Sequence, residues 1–117
     1  MLPSASRLKH KSGFAAVYAK GRSCATDLVV VYASRNRTSI TRIGFSVSRK
    51  VGRAVERNRT KRVLREAMRR MLAELAGGYD LVVIARPPAA NASFSDIRAS
   101  LRTLLRRSGV LKGGRDS

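Results

Sequence analysis

The chain has 117 residues, enough for one compact domain with a modest core and too few for two. Hydrophobic residues make up 44% of it, which excludes a disordered polycation. Lys and Arg number 25 against 7 Asp and Glu, a net charge of +18 that works against a compact state unless an anionic partner offsets it.

In chain order, Ser12 is placed to cap a short helix carrying Phe14, Val17 and Tyr18, with Gly21 as its stop. Leu28 to Ala33 is an aliphatic run, followed by the polar stretch Ser34 to Ser39. Ile43, Phe45 and Val47 alternate with Gly44, Ser46 and Ser48, the period of a half-exposed strand. These two strands are expected to pair as a hairpin. A long helix is predicted from Ala54 to Ala76, with Leu64, Met68, Met71 and Leu75 at helical spacing and Gly77-Gly78 ending it. Asp80 to Ala85 reads as another strand. Ser93, with Asp96 three residues on, resembles a capping box before a last helix whose stripe is Ile97, Leu101, Leu104 and Leu105. Residues 109–117 read as a flexible basic tail of the single domain 1–117. The order of elements predicts a two-layer α+β fold.

Membrane insertion is disfavoured, because the longest aliphatic stretch, Leu28 to Val31, is far below the roughly 18 residues a bilayer requires. No secretory leader is expected from Met1 to Lys11, and the single Cys24 fits a reducing cytoplasm. Nucleic acid is the favoured polyanion.

The predicted long helix carries the main signal. Arg49, Lys50, Arg53, Arg57, Arg59, Lys61, Arg62, Arg65, Arg69 and Arg70 face only two acids, Glu56 and Glu66, too few for a face of mixed ion pairs. Helical geometry places Asn58, Arg62, Arg65 and Arg69 within a sector of about 60°. Arg57 and Lys61 fall on the line of Leu64 and Met68, so the core-facing stripe turns basic in its first two turns. Burying those charges unpaired would cost several kcal/mol, so this end is expected to overhang the core and meet an anion. Arginine forks suit phosphate, and Asn58 can both donate and accept.

Phe14, Tyr18, Tyr32 and Phe45 lie in the basic first half, and aromatic platforms beside cations suit single-stranded RNA. Core roles compete with that reading for Phe14 and Phe45. Chemistry of other kinds is poorly supported. His10 is the only histidine, no His/Cys/Asp/Glu cluster has metal-ligand spacing, and the acids are scattered. No protein catalytic residue and no protein-held metal is expected.

Ile43-Gly44-Phe45-Ser46-Val47-Ser48-Arg49-Lys50-Val51-Gly52, then Ala54-Val55, Arg57-Asn58-Arg59-x-Lys61-Arg62 and Arg65-Glu66 closely resemble bacterial ribonuclease P proteins. Arg7-Leu8-Lys9 with Phe14, Val17, Tyr18 and Gly21 resembles that family's N-terminal motif, and Asp80 to Pro87 its late strand. The resemblance spans roughly residues 6–108. It implies a ribosomal-S5-domain-2-like α/β sandwich with a left-handed crossover involving the basic helix. It also implies a subunit that binds a catalytic RNA and the 5′ leader of precursor tRNA. Mg²⁺, held mainly by the RNA, would serve the hydrolysis that removes the leader. Carried over by position, the basic helix, with Arg49, Lys50 and Arg53 ahead of it, would contact the catalytic RNA. Phe14, Tyr18, Tyr32 and Phe45 would line the leader cleft. A cytoplasmic protein, monomeric before assembly, is expected. A small ribosomal protein and a protein-only nuclease are the alternatives, the latter disfavoured by the scattered acids.

Overall fold

The computed structural model describes residues 4–112. A helix α1 (Lys11–Lys20) precedes strands β1 (Arg22–Ala25), β2 (Val29–Arg35) and β3 (Arg42–Ser46). Helix α2 (Ala54–Met71), strand β4 (Tyr79–Ala85) and helix α3 (Phe94–Arg107) follow. Short 3₁₀ turns at Ser4–Ser6, Arg49–Val51, Leu72–Glu74 and Pro87–Asn91 join them.

The sheet has the order β1-β2-β4-β3. β2 is antiparallel to both neighbours, with Tyr32 opposite Ser23 and Val82, and β3 runs parallel to β4 with Gly44 opposite Val82. β4 sits at the centre because Leu81, Val82 and Val83 are apolar on both faces and fully buried. One face of the sheet, with Val29, Val31, Ile43, Leu81 and Val83, packs against Leu64, Met68 and Met71 of α2 and Leu101, Leu104 and Leu105 of α3. The opposite face carries a smaller cluster of Leu8, Val17 and Val82, with Phe14, Tyr32 and Ile84 against it. Val17 is the only buried residue of α1, so this second face is thinly covered.

The α+β architecture expected from the sequence is the one observed. The expected hairpin is not. β4 inserts between β2 and β3, and the polar connection crosses its end instead of closing a turn. Asn36 N–H donates to the Gly78 carbonyl at 2.9 Å, its side-chain amide to Asp80 Oδ1 at 2.9 Å, and Thr41 Oγ1 to the Ala76 carbonyl at 2.6 Å. The free edge of β3 is lined instead by the N-terminal segment, with Leu8 N–H donating to the Ile43 carbonyl at 2.9 Å.

Other boundaries also move. β1 has no counterpart among the predicted elements. α1 begins at Lys11, after an extended His10 whose side chain forms no cap, so Ser12 is not the cap residue. α2 ends at Met71, five residues before the predicted end, and the 3₁₀ turn turns Leu75 back into the core. Ser93 caps α3 as expected, accepting from Asp96 N–H at 3.0 Å. Residues 109–112 of the predicted flexible tail are instead packed on the fold. Gly109 takes φ 74°, a conformation that terminates α3 at little steric cost, and directs Val110 into the core. The Val110 carbonyl accepts from Ala76 N–H at 2.7 Å, and Leu111 bridges Leu75. Residues 113–117 of that predicted tail lie outside the described residues.

Candidate nucleic-acid interface

α2 starts with its amide groups partly satisfied by its own sequence. Glu56 Oε1 accepts from Arg53 N–H at 2.9 Å, and its negative charge lies in the first turn, where the helix dipole favours it. Buried positions run Thr60, Leu64, Ala67, Met68 and Met71, so the core-facing stripe begins only in the second turn. Thr60 fits this stripe because its hydroxyl donates to the Glu56 carbonyl at 2.8 Å. Residues 54–59 include none that is buried, which is the overhang predicted from the basic line. The overhang is partial. Arg57 and Lys61 are half-buried, and Arg57 Nε is shielded from solvent without a hydrogen-bond partner.

Asn58, Arg62, Arg65 and Arg69 are all exposed, as the angular argument requires. They differ in what holds them. Glu66 takes Arg69 in a bidentate contact, Nε at 2.9 Å and Nη2 at 2.6 Å, and Arg70 Nε at 2.9 Å. The single acid therefore ties down two arginines, a pairing that a count of charges does not foresee. Hydrogen bonds first from Arg69 and then from Arg70 lower the Glu66 carboxyl from 4.5 to about 2. Arg70 also lies over the Phe94 ring, 4.9 Å from its centroid. Arg59 is held too, with Nη2 donating to the Ala90 carbonyl at 2.7 Å. Among the described residues, Arg49, Lys50, Arg62 and Arg65 form no ion pair.

Because β3 is an edge strand, a groove of 590 Å³ wraps around it. Its floor is Ile43, Gly44 and Phe45; one wall is Arg7 to Lys9 with Phe14, and the other is Lys61, Arg62, Arg65 and Glu66 of α2. Glu66 is the only acid among the described lining residues, and with two guanidiniums on it this carboxylate is poorly placed to accept a proton near neutral pH. A second depression of 370 Å³ adjoins the first through Phe14 and Lys9, and adds Lys11, Ala15 and Tyr18. Tyr18 meets Tyr32 edge to face, with ring centroids 5.1 Å apart and planes at 83°.

The predicted residues are therefore brought together unevenly. Phe14, Phe45, Lys61, Arg62 and Arg65 share one groove, and Tyr18 lies in the next. Tyr32 lines neither and packs beneath Tyr18. Arg49 and Lys50 are exposed on the turn ahead of α2, while Asn58 and Arg69 lie outside the groove. Arg7, Leu8 and Lys11 are lining residues that the sequence did not single out as site residues. For Arg7 and Leu8 the cue is the pairing of the N-terminal segment with β3, which is a tertiary fact.

A family model described as Ribonuclease P matches residues 2–109. The chain belongs to the ribonuclease P protein family. Among relatives named ribonuclease P protein component, that of Clostridioides difficile is 41% identical over 104 residues, covering 88% of this chain and 91% of its own. That of Exiguobacterium sibiricum is 46% identical over 107 residues, covering 91% and 92%. The solved structure of the Staphylococcus aureus RNase P protein superposes with a TM-score of 0.84 at 37% identity, covering 92% of this chain and 98% of that one. The RNase P protein from Thermotoga maritima gives 0.79 at 33% identity, covering 86% and 96%.

The chain is thus an accessory subunit of a ribonucleoprotein endoribonuclease that processes tRNA, and ribonuclease P RNA is its partner. This membership accounts for the charge balance, since an RNA partner supplies the phosphates that the basic surface lacks. No helix among the described residues is long and apolar enough to cross a membrane.

Proposed function

We propose that the exposed face of α2 docks on the ribonuclease P RNA, and that the β3-edge groove with its adjoining depression holds the single-stranded 5′ leader of precursor tRNA. The observation that carries this reading is the groove itself, which sets Arg62 and Arg65 across the β3 edge from Phe14. Guanidinium forks on one wall suit backbone phosphates, and aromatic rings on the other suit unstacked bases. Asn58, with Arg49, Lys50 and Arg53 before the helix, extends the basic face toward the catalytic RNA. Arg62 and Arg65 stand where the two RNAs meet. Arg57, Arg59 and Lys61 support that surface, Arg59 by anchoring α2 to the turn at Ala90.

Phosphodiester hydrolysis belongs to the RNA in this reading. Mg²⁺, held mainly by the RNA, supplies charge stabilisation and an activated water for it. The protein's residues bind and orient the leader and neutralise phosphate charge near the scissile bond, so less Mg²⁺ is needed. The subunit acts as a cytoplasmic monomer before assembly.

The test is cleavage of precursor tRNA at low Mg²⁺ by the chain alone, by ribonuclease P RNA alone, and by the two reconstituted. The expected result is no cleavage by the chain and strong stimulation of the RNA, greater for substrates with a leader long enough to reach Phe14. Equal stimulation whatever the leader length would remove the leader from the groove.

A further inference from the structure

The far edge of the sheet carries a second basic concavity, which neither the helix α2 nor the leader groove includes. It is a recess of 500 Å³ where the end of α1, strands β1 and β2 and the end of α3 converge. Lys20, Arg22, Arg35 and Arg107 line it, and its described lining residues include no acid. None of these four cations forms an ion pair among the described residues. Arg35 is held instead over the Tyr79 ring, 5.2 Å from its centroid. Ser108, at the end of α3, closes the recess against Cys24, with Oγ 3.8 Å from Sγ.

Cations at the ends of helices are ordinary, because they complement the helix dipole, and that accounts for Lys20 and Arg107. It does not account for Arg22 and Arg35, which project from strands. Four like charges around one recess on a chain of net charge +18 repel one another unless an anion lies between them. Beside them, β1 pairs only with β2 among the described strands, so its outer edge offers unpaired backbone groups as well. The order β1-β2-β4-β3 puts this edge three strand spacings, roughly 14 Å, from the leader groove.

We propose that this recess is a second RNA-phosphate site, which takes the backbone of an RNA segment other than the one at the β3 edge. The guanidiniums of Arg22 and Arg107 and the ammonium of Lys20 meet the phosphates, and the Ser23 hydroxyl completes the contact. The inference rests on the RNA-binding reading of the chain. Phosphates of this chemistry could come from the ribonuclease P RNA or from the body of precursor tRNA.

The experiment measures salt dependence in two arms, the chain binding ribonuclease P RNA and the reconstituted holoenzyme binding precursor tRNA. It compares the wild type with a Lys20→Gln/Arg22→Gln/Arg107→Gln variant, and in parallel with Arg62→Ala/Arg65→Ala in the groove. The expected result is that the recess variant lowers the slope of log K against log salt by about 2 in one arm, since each phosphate contact contributes about 0.7–0.9. The arm that changes names the source of the phosphates. A charge-keeping Lys20→Arg/Arg22→Lys/Arg107→Lys variant should retain the slope, and a loss equal to the Gln variant's would overturn the proposal in favour of a folding defect. Unchanged slopes in both arms, with the groove variant flattened, would overturn the recess alone. If neither variant changes a slope, the RNA-binding reading of both surfaces falls.

Discussion

Phe14 lies against the backbone of Gly44. A Cβ added at residue 44 would stand 2.9 Å from Phe14 Cε1 and closer still to Cζ. The glycine is thus the flat spot on β3 that lets an α1 ring reach the strand and form the bridge between the two depressions of the interface. Gly44→Ala should displace the ring and cost about 1–3 kcal/mol in overpacking. Urea denaturation of Gly44→Ala, Phe14→Ala and the double variant checks this. The double variant should lose less than the sum of the single losses, and strict additivity would show that the ring does not depend on the glycine.

Asp80 connects the end of β4 to the β2–β3 loop. Its carboxylate accepts Arg42 Nε at 2.8 Å and Nη2 at 2.7 Å, and the Asn36 amide at 2.9 Å. The Asp80 side chain is 11% exposed and that of Arg42 43%, so solvent screens one partner much more than the other. Asp80→Ala should therefore destabilise by about 2 kcal/mol, mainly through the hydrogen bonds left unmade. Arg42→Ala should cost less, because Asn36 still satisfies one carboxylate oxygen. Equal losses in chemical denaturation would mean that Asn36 contributes nothing.

That network also explains what was legible in the sequence. The α3 stripe and its Ser93 cap could be read directly, since period and cap are local signals. The charged stripe of α2 was legible for the same reason. Sheet order was not. Two adjacent strands with a polar connection read as a hairpin, whereas the bonds from Asn36 and Thr41 to residues 76–80 join segments about forty positions apart. β1 is four largely exposed residues at an edge, only two of them polar, and gives no alternation to detect. The groove was hidden by the same error, because it exists only if β3 is an edge strand. Glu66 was hidden by counting, since one carboxylate with two oxygens can hold two arginines.

Glu66 gives a prediction about acid. Its folded-state value is lowered to about 2 from 4.5, chiefly by the Arg69 hydrogen bonds. A carboxyl depressed on folding stabilises the native state above its unfolded value, and that contribution is lost as pH falls through the folded one. The window therefore runs from about 4.5 down to about 2. In a carbon-detected NMR titration, the Glu66 carboxyl should stay ionised well below the range of ordinary glutamates. In Arg69→Ala its midpoint should move up toward 4.5, with Arg70 holding part of the shift. A midpoint already near 4.5 in the wild type would mean that the two arginines are free to turn outward to RNA.

Tyr18 and Tyr32 should separate binding from folding. Tyr18 is 42% exposed in a depression beside Phe14, whereas Tyr32 packs against the cluster of Leu8, Val17 and Val82. A base stacking on the interface would meet Tyr18, and the edge-on Tyr32 would fix that ring in place. Tyr18→Ala should leave the denaturation midpoint nearly unchanged and weaken holoenzyme binding of leader-bearing precursor tRNA by about 1–3 kcal/mol. Mature tRNA should bind that variant as before. Tyr32→Ala should instead lower stability by about 2–3 kcal/mol, below the range for a fully buried aromatic because Tyr32 is only half-buried. Its effect on leader binding should be smaller than that of Tyr18→Ala once the folded fraction is taken into account. Equal losses for leader-bearing and mature tRNA in Tyr18→Ala would place the leader elsewhere on the basic surface.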